Sequence, residues 1–310
     1  MTIRLGIVGV GKIARDQHLP AIAANPAFDL VAAASRHASI DGIASFATIE
    51  EMLAAVPDLD AVSICTPPGG RGDIVRAAIA AGKHVMIEKP PGATVSEVVA
   101  LERLAADAGV TLFATWHSRE AAGVDEARDW LADKQVTSVA ISWREDIRVW
   151  HPGQDWILGP GGFGVFDPGI NALSIITKIL PTGLSVEGGA LHVPDGRESP
   201  IAATVQMRCG NGAPGRVDLD FLQTGPQSWD IVVETTAGTL TLRDGGKTLS
   251  IDGEGAAEGG GIDEGEYPRL YARFAELVPT GSRDVDLRPL QLVADAYLVA
   301  HRIVADPFEF

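Results

Sequence analysis

The sequence predicts an α/β protein of two domains. The first is built on a parallel sheet, and the second is an α+β domain with a large, mostly antiparallel sheet. Three observations carry this. Over the first 115 or so residues, short apolar runs alternate with amphipathic helical patterns, the signature of βαβ units. A Gly-x-Gly-x-x-Ala run, Gly9-Val-Gly11-Lys-Ile-Ala14, follows the first apolar run and opens the first helical pattern. Past Pro181, apolar runs follow one another without helices between them, as in an antiparallel meander. At 310 residues the chain has room for two domains of roughly 100–200 residues each. We place the dinucleotide-binding Rossmann domain at 1–118 and a substrate-binding domain at 119–310, with the final helix able to pack back on the first.

Taken in order, strands are expected at 4–8, 30–35, 61–65, 84–87 and 111–114, with helices at 14–25, 48–56, 72–81 and 94–108. Gly82 and Gly109 punctuate helix ends and Thr94 is a candidate N-cap. After Trp116 come a helix at 121–132, an alternating strand at 136–145 and an irregular Gly-, Pro- and Trp-rich stretch at 150–164. A helix at 170–179 is stopped by Pro181, and strands follow at 185–192, 201–209, 215–223, 229–235, 238–243 and 247–251. The Gly/Glu/Ala-rich segment 253–266 reads as a mobile acidic loop, and helices at 267–277 and 289–304 finish the chain. No internal repeat is present.

Composition removes several function classes. A net charge of −16 repels polyanions, so neither nucleic acid nor an anionic membrane is expected as a partner. The two cysteines, Cys65 and Cys209, sit in apolar runs and read as buried small hydrophobes, with no disulfide framework and no metal-ligand spacing. The N-terminus enters a strand at once without the features of a signal peptide, and no run approaches the ~18 apolar residues of a membrane span. A cytoplasmic location is expected.

The glycine run stands where a dinucleotide pyrophosphate would meet a helix N-terminus, and Gly9, Gly11, Lys12 and Ile13 are assigned to it. NAD-preferring sites put a carboxylate at the end of the second strand. Here that strand ends Ala34-Ser35-Arg36-His37. Ser35 can hydrogen-bond a 2′-phosphate, while Arg36 can pair with it and stack on the adenine, so NADP is expected as the preferred cofactor, with NAD tolerated. The competing reading is a surface Arg in a loop. Thr66 and Pro67, in Thr66-Pro67-Pro68, form a turn able to approach the nicotinamide ribose, although Pro-Pro is also a common loop. The fourth strand delivers Glu88, Lys89 and Pro90 to its carboxyl end, where ligands of open α/β sheets bind. In Gly159-Pro-Gly-Gly-Phe-Gly-Val-Phe-Asp167-Pro-Gly-Ile-Asn171, Asp167 and Asn171 share a face if the helix reaches back to Asp167. Asp before Pro is also a good N-cap, and the glycines mildly favour close approach of backbone to a ligand.

Together these pieces resemble the Gfo/Idh/MocA oxidoreductase family across the whole chain, most specifically in the Ala81–Pro90 block ending Glu-Lys-Pro. Ala114-Thr-Trp-His-Ser-Arg119, His151-Pro-Gly-Gln-Asp-Trp156 and Phe166-Asp-Pro-Gly-Ile-Asn-Ala-Leu-Ser174 are similar to a subgroup of bacterial L-arabinose/D-galactose 1-dehydrogenases. The resemblance implies that Lys89 contacts substrate and nicotinamide and that Asp167 lies in the sugar site. Two departures stand out: Asn171 and Arg71 occupy positions where the family often has His. Asn cannot act as a base but can hold a hydroxyl. Oxidation at an anomeric carbon is assisted by the ring oxygen, so Asp167 can suffice as proton acceptor with Lys89 stabilising alkoxide character.

His117, Glu145, Trp150, His151 and Trp229 are candidates to line the sugar pocket, each with a plain structural reading beside it. The expected activity is NADP- or NAD-dependent oxidation of L-arabinose or D-galactose at C1. The alternatives are another sugar or inositol dehydrogenase (D-xylose, D-glucose, myo-inositol) or a non-catalytic NADP-binding regulator. Relatives often bury the face of the second sheet in a homodimer, which makes that a possible assembly. No metal is expected.

Overall fold

The computed structural model describes residues 2–255 and 265–310, and most of the expected acidic loop, 256–264, lies outside the described residues. The chain divides into two compact units, Met1–His117 with Gly261–Leu287 and Ser118–Gly260 with Arg288–Phe310.

In the first unit the strands are β1 (Ile3–Val8), β2 (Phe28–Ala34), β3 (Ala44–Phe46), β4 (Ala61–Ile64), β5 (His84–Glu88) and β6 (Leu112–Thr115). They form a parallel sheet in the order β3-β2-β1-β4-β5-β6. Leu5, Ile7, Val62, Ile64, Val85, Met86 and Ile87 are fully buried, as continuous apolar strands of a sheet covered on both faces should be. The order reverses direction between β1 and β4, which opens a crevice at their carboxyl ends. β3 was not expected from the sequence; its three residues, Ala-Ser-Phe, are too few to show alternation.

Two helices of this unit begin with reciprocal caps. Thr48 Oγ1 accepts from Glu51 N–H while the Glu51 carboxylate accepts from Ala47 N–H. Thr94 Oγ1 and Glu97 repeat the arrangement with Ala93. Gly109 ends the Val95–Ala108 helix in the left-handed conformation, φ 67°. The first helix is not uniform: Ala14–His18 is a π-helical segment that passes into the α-helix Leu19–Ala24, and His18, at their junction, is fully buried. The Glu266–Leu277 helix closes the unit. Tyr267, Leu270, Tyr271, Phe274 and Leu277, spaced three or four apart, pack on Ile3, Phe28, Met86 and Phe113.

The second unit holds β7 (Val136–Arg144), β8 (Leu184–Pro194), β9 (Ala202–Cys209), β10 (Pro214–Asp220), β11 (Ser228–Thr235), β12 (Gly238–Arg243), β13 (Thr248–Ile251) and β14 (His301–Ala305). Their order is β13-β12-β11-β7-β10-β9-β8-β14. The expected run of consecutive strands is therefore two meanders, β8-β9-β10 and β11-β12-β13, on either side of β7. β7 pairs parallel with β10 and antiparallel with β11. Residue patterns report that a segment is a strand but not which neighbour it takes. The last expected helix, 289–304, is corrected: the helix spans Arg288–Val299, and His301–Ala305 is an edge strand parallel to β8. The segment beyond the helix is β-branched and exposed, Ile303-Val304, so it lacks the apolar stripe that would hold a helix down.

The Phe166–Ile179 helix lies against this sheet and is buried over nearly its whole length. Gly164 before it and Gly169 within it serve packing of the chain on itself. Gly164 has φ 54°, and a Cβ there would lie 2.2 Å from the Pro200 carbonyl oxygen. A Cβ on Gly169 would lie 2.6 Å from Leu219 Cδ1, so this glycine sets how closely the helix approaches β10. The stretch expected to be irregular contains one turn of helix, Ile147–Trp150, and a 3₁₀ turn, Asp155–Leu158. No helix among the described residues is long and apolar enough to cross a membrane.

Candidate active site

In the first unit, Gly9 follows β1 with φ 89°, and a Cβ there would fall 2.9 Å from both the Thr66 backbone nitrogen and Thr66 Cγ2. Only glycine lets the turns after β1 and β4 close on each other. Around Gly11 the opposite holds: a Cβ would meet nothing within 4 Å. That open space at the start of a helix, with Lys12 and Ile13 exposed beside it, fits a pyrophosphate. Thr66 Oγ1 at the same turn is buried with no hydrogen-bond partner, an orphaned polar atom of the kind a bound nucleotide satisfies. Ser35 is half-buried beyond β2, with its N–H bonded to the Phe46 carbonyl, while Arg36 and His37 are exposed; no carboxylate stands there.

β5 ends in a buried polar network. Glu88, 4% exposed, accepts at Oε1 from the Tyr267 hydroxyl (2.8 Å) and from His18 Nε2 (3.0 Å), and at Oε2 from Lys89 N–H (2.9 Å). His18 Nδ1 lies 2.8 Å from the Tyr271 hydroxyl, which donates to Ser63 Oγ. Burial alone would raise the Glu88 carboxyl, but the hydrogen bond and charge of His18, with His117 and Tyr267, outweigh it and hold the group at about 2. Burial likewise disfavours the His18 imidazolium, yet Cys65, Tyr271 and Glu88 carry it well above its ordinary value. An imidazolium donating on both sides, to Glu88 and to Tyr271, accounts for the whole arrangement.

Lys89, half-buried, is joined to Pro90 by a cis peptide bond. Arg71, 2% exposed, clamps the neighbouring turns: Nε donates to the Thr66 carbonyl (2.9 Å), and its guanidinium also donates to the carbonyls of Glu88 and Pro90. His117 Nδ1 lies 2.6 Å from Glu266 Oε2, and its ring stacks on Tyr267.

A second cluster forms within the other unit. Glu145, just past β7, is 3% exposed, and Asp167 in the first turn of its helix is 6% exposed. Glu145 Oε2 accepts from Trp229 Nε1 (2.9 Å), and its Oε1 lies 3.3 Å from His151 Nε2. His151 Nε2 is in turn 4.0 Å from Asp167 Oδ2. The Trp150 ring meets Trp229 edge-on at 5.1 Å, and Trp150 Nε1 donates to Gln227 Oε1. The helix does reach back past Asp167, so Asn171, half-buried, lies one turn along the same face. The structure thus joins Glu145, Trp150, His151, Asp167 and Trp229 into one cluster, while Lys89 and His117 belong to the other unit. A cluster of two buried carboxylates, an imidazole and two indoles can hold and polarise a hydroxylated, partly apolar ligand.

A profile described as "Oxidoreductase family, NAD-binding Rossmann fold" (GFO_IDH_MocA) matches residues 3–115. Over 307 residues, 99% of this chain and 98% of the relative, the sequence is 45% identical to a galactose 1-dehydrogenase of Pseudomonas fluorescens.

The chain belongs to the Gfo/Idh/MocA oxidoreductase family.

Among solved structures of that family's fold, a D-galactose-1-dehydrogenase protein from Rhizobium etli is 52% identical, with a TM-score of 0.94 over 99% of this chain and 98% of that one. A 3-ketoreductase from Actinomadura kijaniata, in complex with NADP and TDP-benzene, has a TM-score of 0.83 over 98% of this chain and all of its own; at 19% identity it shares the fold alone. Within the Gfo/Idh/MocA frame, Arg71 has a structural use at a position where the family often has His: it ties together the two turns that carry Thr66 and Lys89. Sequence reasoning missed Arg71, His18, Ser63, Tyr267 and Tyr271 as parts of the network. The only signal was polarity on apolar faces, and that does not name a partner.

Proposed function

We propose that the chain is an aldose 1-dehydrogenase that oxidises the anomeric hydroxyl of D-galactose, L-arabinose or both, as pyranoses, to the aldonolactone. Support comes first from full-length identity to a galactose 1-dehydrogenase. The observation that carries the substrate class is the Glu145–His151–Asp167 cluster beside Trp150 and Trp229. Indole faces suit the apolar side of a pyranose, and buried carboxylates suit its hydroxyls. D-Galactose and L-arabinose share configuration at C2 to C4 and differ at the C5 substituent, so one pocket can take both.

NADP⁺ or NAD⁺, when bound, supplies the acceptor for the hydride leaving C1. Gly9 lets the turn close against Thr66, Gly11 leaves room for its pyrophosphate, and Thr66 offers a hydroxyl. Ser35 and Arg36, with no carboxylate beside them, favour a 2′-phosphate and hence NADP over NAD. As the C1–H electron pair departs, the O1–H pair becomes part of the lactone carbonyl and the proton passes to Asp167. Lys89 stabilises alkoxide character on that oxygen, and Asn171 holds a hydroxyl without taking a proton.

Steady-state kinetics over a panel of aldoses and inositols, followed at the NADPH absorbance, tests the reading. Turnover highest with D-galactose and L-arabinose is expected, and no turnover with any sugar despite cofactor binding would overturn it. Arg36→Ala should lower the NADP/NAD ratio of kcat/KM by about 10-fold or more, a loss of roughly one charge-assisted phosphate contact. An unchanged ratio would remove Arg36 from the cofactor site.

A further inference from the structure

The family's usual acid/base position carries Asn171 here, and Asn cannot exchange a proton. The second unit nevertheless contains an imidazole at the carboxylate assigned to do so. His151 stands in the loop after the Ile147–Trp150 helix, with its side chain 17% exposed and its Nε2 3.3 Å from Glu145 Oε1 and 4.0 Å from Asp167 Oδ2, the second an ion-pair distance rather than a hydrogen bond. Both neighbours are acceptors when ionised, so Nε2 is the nitrogen that carries a proton. The ring is fixed from a third side by an edge contact with Phe221, centroids 5.5 Å apart. Glu145 is in turn fixed by the Trp229 indole. Arg148 and Asp146, the charged groups of the short helix before His151, pair with each other at 3.6 Å.

We propose that His151 is a positioning residue for Asp167. Its Nε2–H stands between two buried carboxylates and orients Asp167 as the proton acceptor, which lets this chain work with Asn at position 171. The inference rests on the reading of Asp167 as the proton acceptor. Without the imidazole, Glu145 and Asp167, both buried, lose the one donor that stands within 4.0 Å of each.

The test is kcat and KM for D-galactose with NADP⁺ in His151→Phe, His151→Gln and Asp167→Asn, with circular dichroism melts as the folding control. His151→Phe keeps a ring against Phe221 but removes the donor. It should lower kcat about 10-fold or more while leaving KM within about threefold. His151→Gln, which retains an N–H donor, should recover most of kcat. His151→Ala replaces the phenylalanine variant, with the same expectations, if the phenyl ring disturbs folding.

Three outcomes overturn the proposal: a folded donorless variant with unchanged kcat, a rise in KM alone, or a folded His151→Gln as impaired as His151→Phe. Asp167→Asn separates the two claims. If it keeps kcat, the reading of Asp167 itself is wrong. If it loses kcat while His151→Phe does not, only the role of His151 fails.

Discussion

Glu88 and His18 show how a residue beside the assigned Lys89 is held. Glu88 sits at about 2 in the folded chain, below its ordinary value of 4.5, so its contribution to stability is full above that value and is lost as pH falls from 4.5 towards 2. His18 is raised above 6.5, so its contribution is full below 6.5 and declines as pH rises through the elevated value. The pair therefore stabilises most between the two ordinary values, and Glu88→Gln should flatten the acid side of the stability curve measured by urea unfolding. A curve of unchanged shape would mean that the pair is not ionised. His18→Leu strands a buried carboxylate and should cost about 3–5 kcal/mol by the same method. A loss under about 1 kcal/mol, the range of exposed pairs, would contradict the burial described here. None of this was legible from residues alone, because His18 meets Glu88 across 70 positions and Tyr271 across 253.

At the scale of elements, the parts written in local chemistry were readable and those written in pairing were not. The first five apolar runs, the Thr94 cap and the Gly109 stop all fall within a few residues of their expected places, since each depends on a short stretch of chain. The insertion of β7 between β10 and β11 depends on strands some 70 or more residues away, and β14 depends on β8. The glycine run 159–164 was readable as special but not as to its reason. Gly164→Ala meets both a left-handed φ and the Pro200 carbonyl, so it should destabilise by about 2 kcal/mol or more in chemical denaturation. Gly11→Ala meets open space instead. It should leave stability within about 0.5–1 kcal/mol yet weaken cofactor binding, measured by NADPH fluorescence titration. Unchanged NADPH affinity would mean that this space is not the pyrophosphate cradle.

For the whole molecule, family membership gives the class of chemistry, and the two units each contribute candidate groups to it. The glycine turn and Glu-Lys-Pro were visible because a dinucleotide fold announces itself at strand ends. The sugar-facing candidates were visible only as polar or aromatic residues near predicted strand ends. The structure then linked Glu145, His151, Asp167 and Trp229, which come from the end of one strand, a loop, a helix and a second strand. In the proposed reaction, hydride leaves C1 of an aldopyranose. The most direct measurement uses D-galactose deuterated at C1, with the reduced cofactor and the sugar product analysed by mass spectrometry. Deuterium is expected in the reduced nicotinamide ring, with a galactonolactone that has lost it. Reduced cofactor without label, beside a product still deuterated at C1, would contradict it.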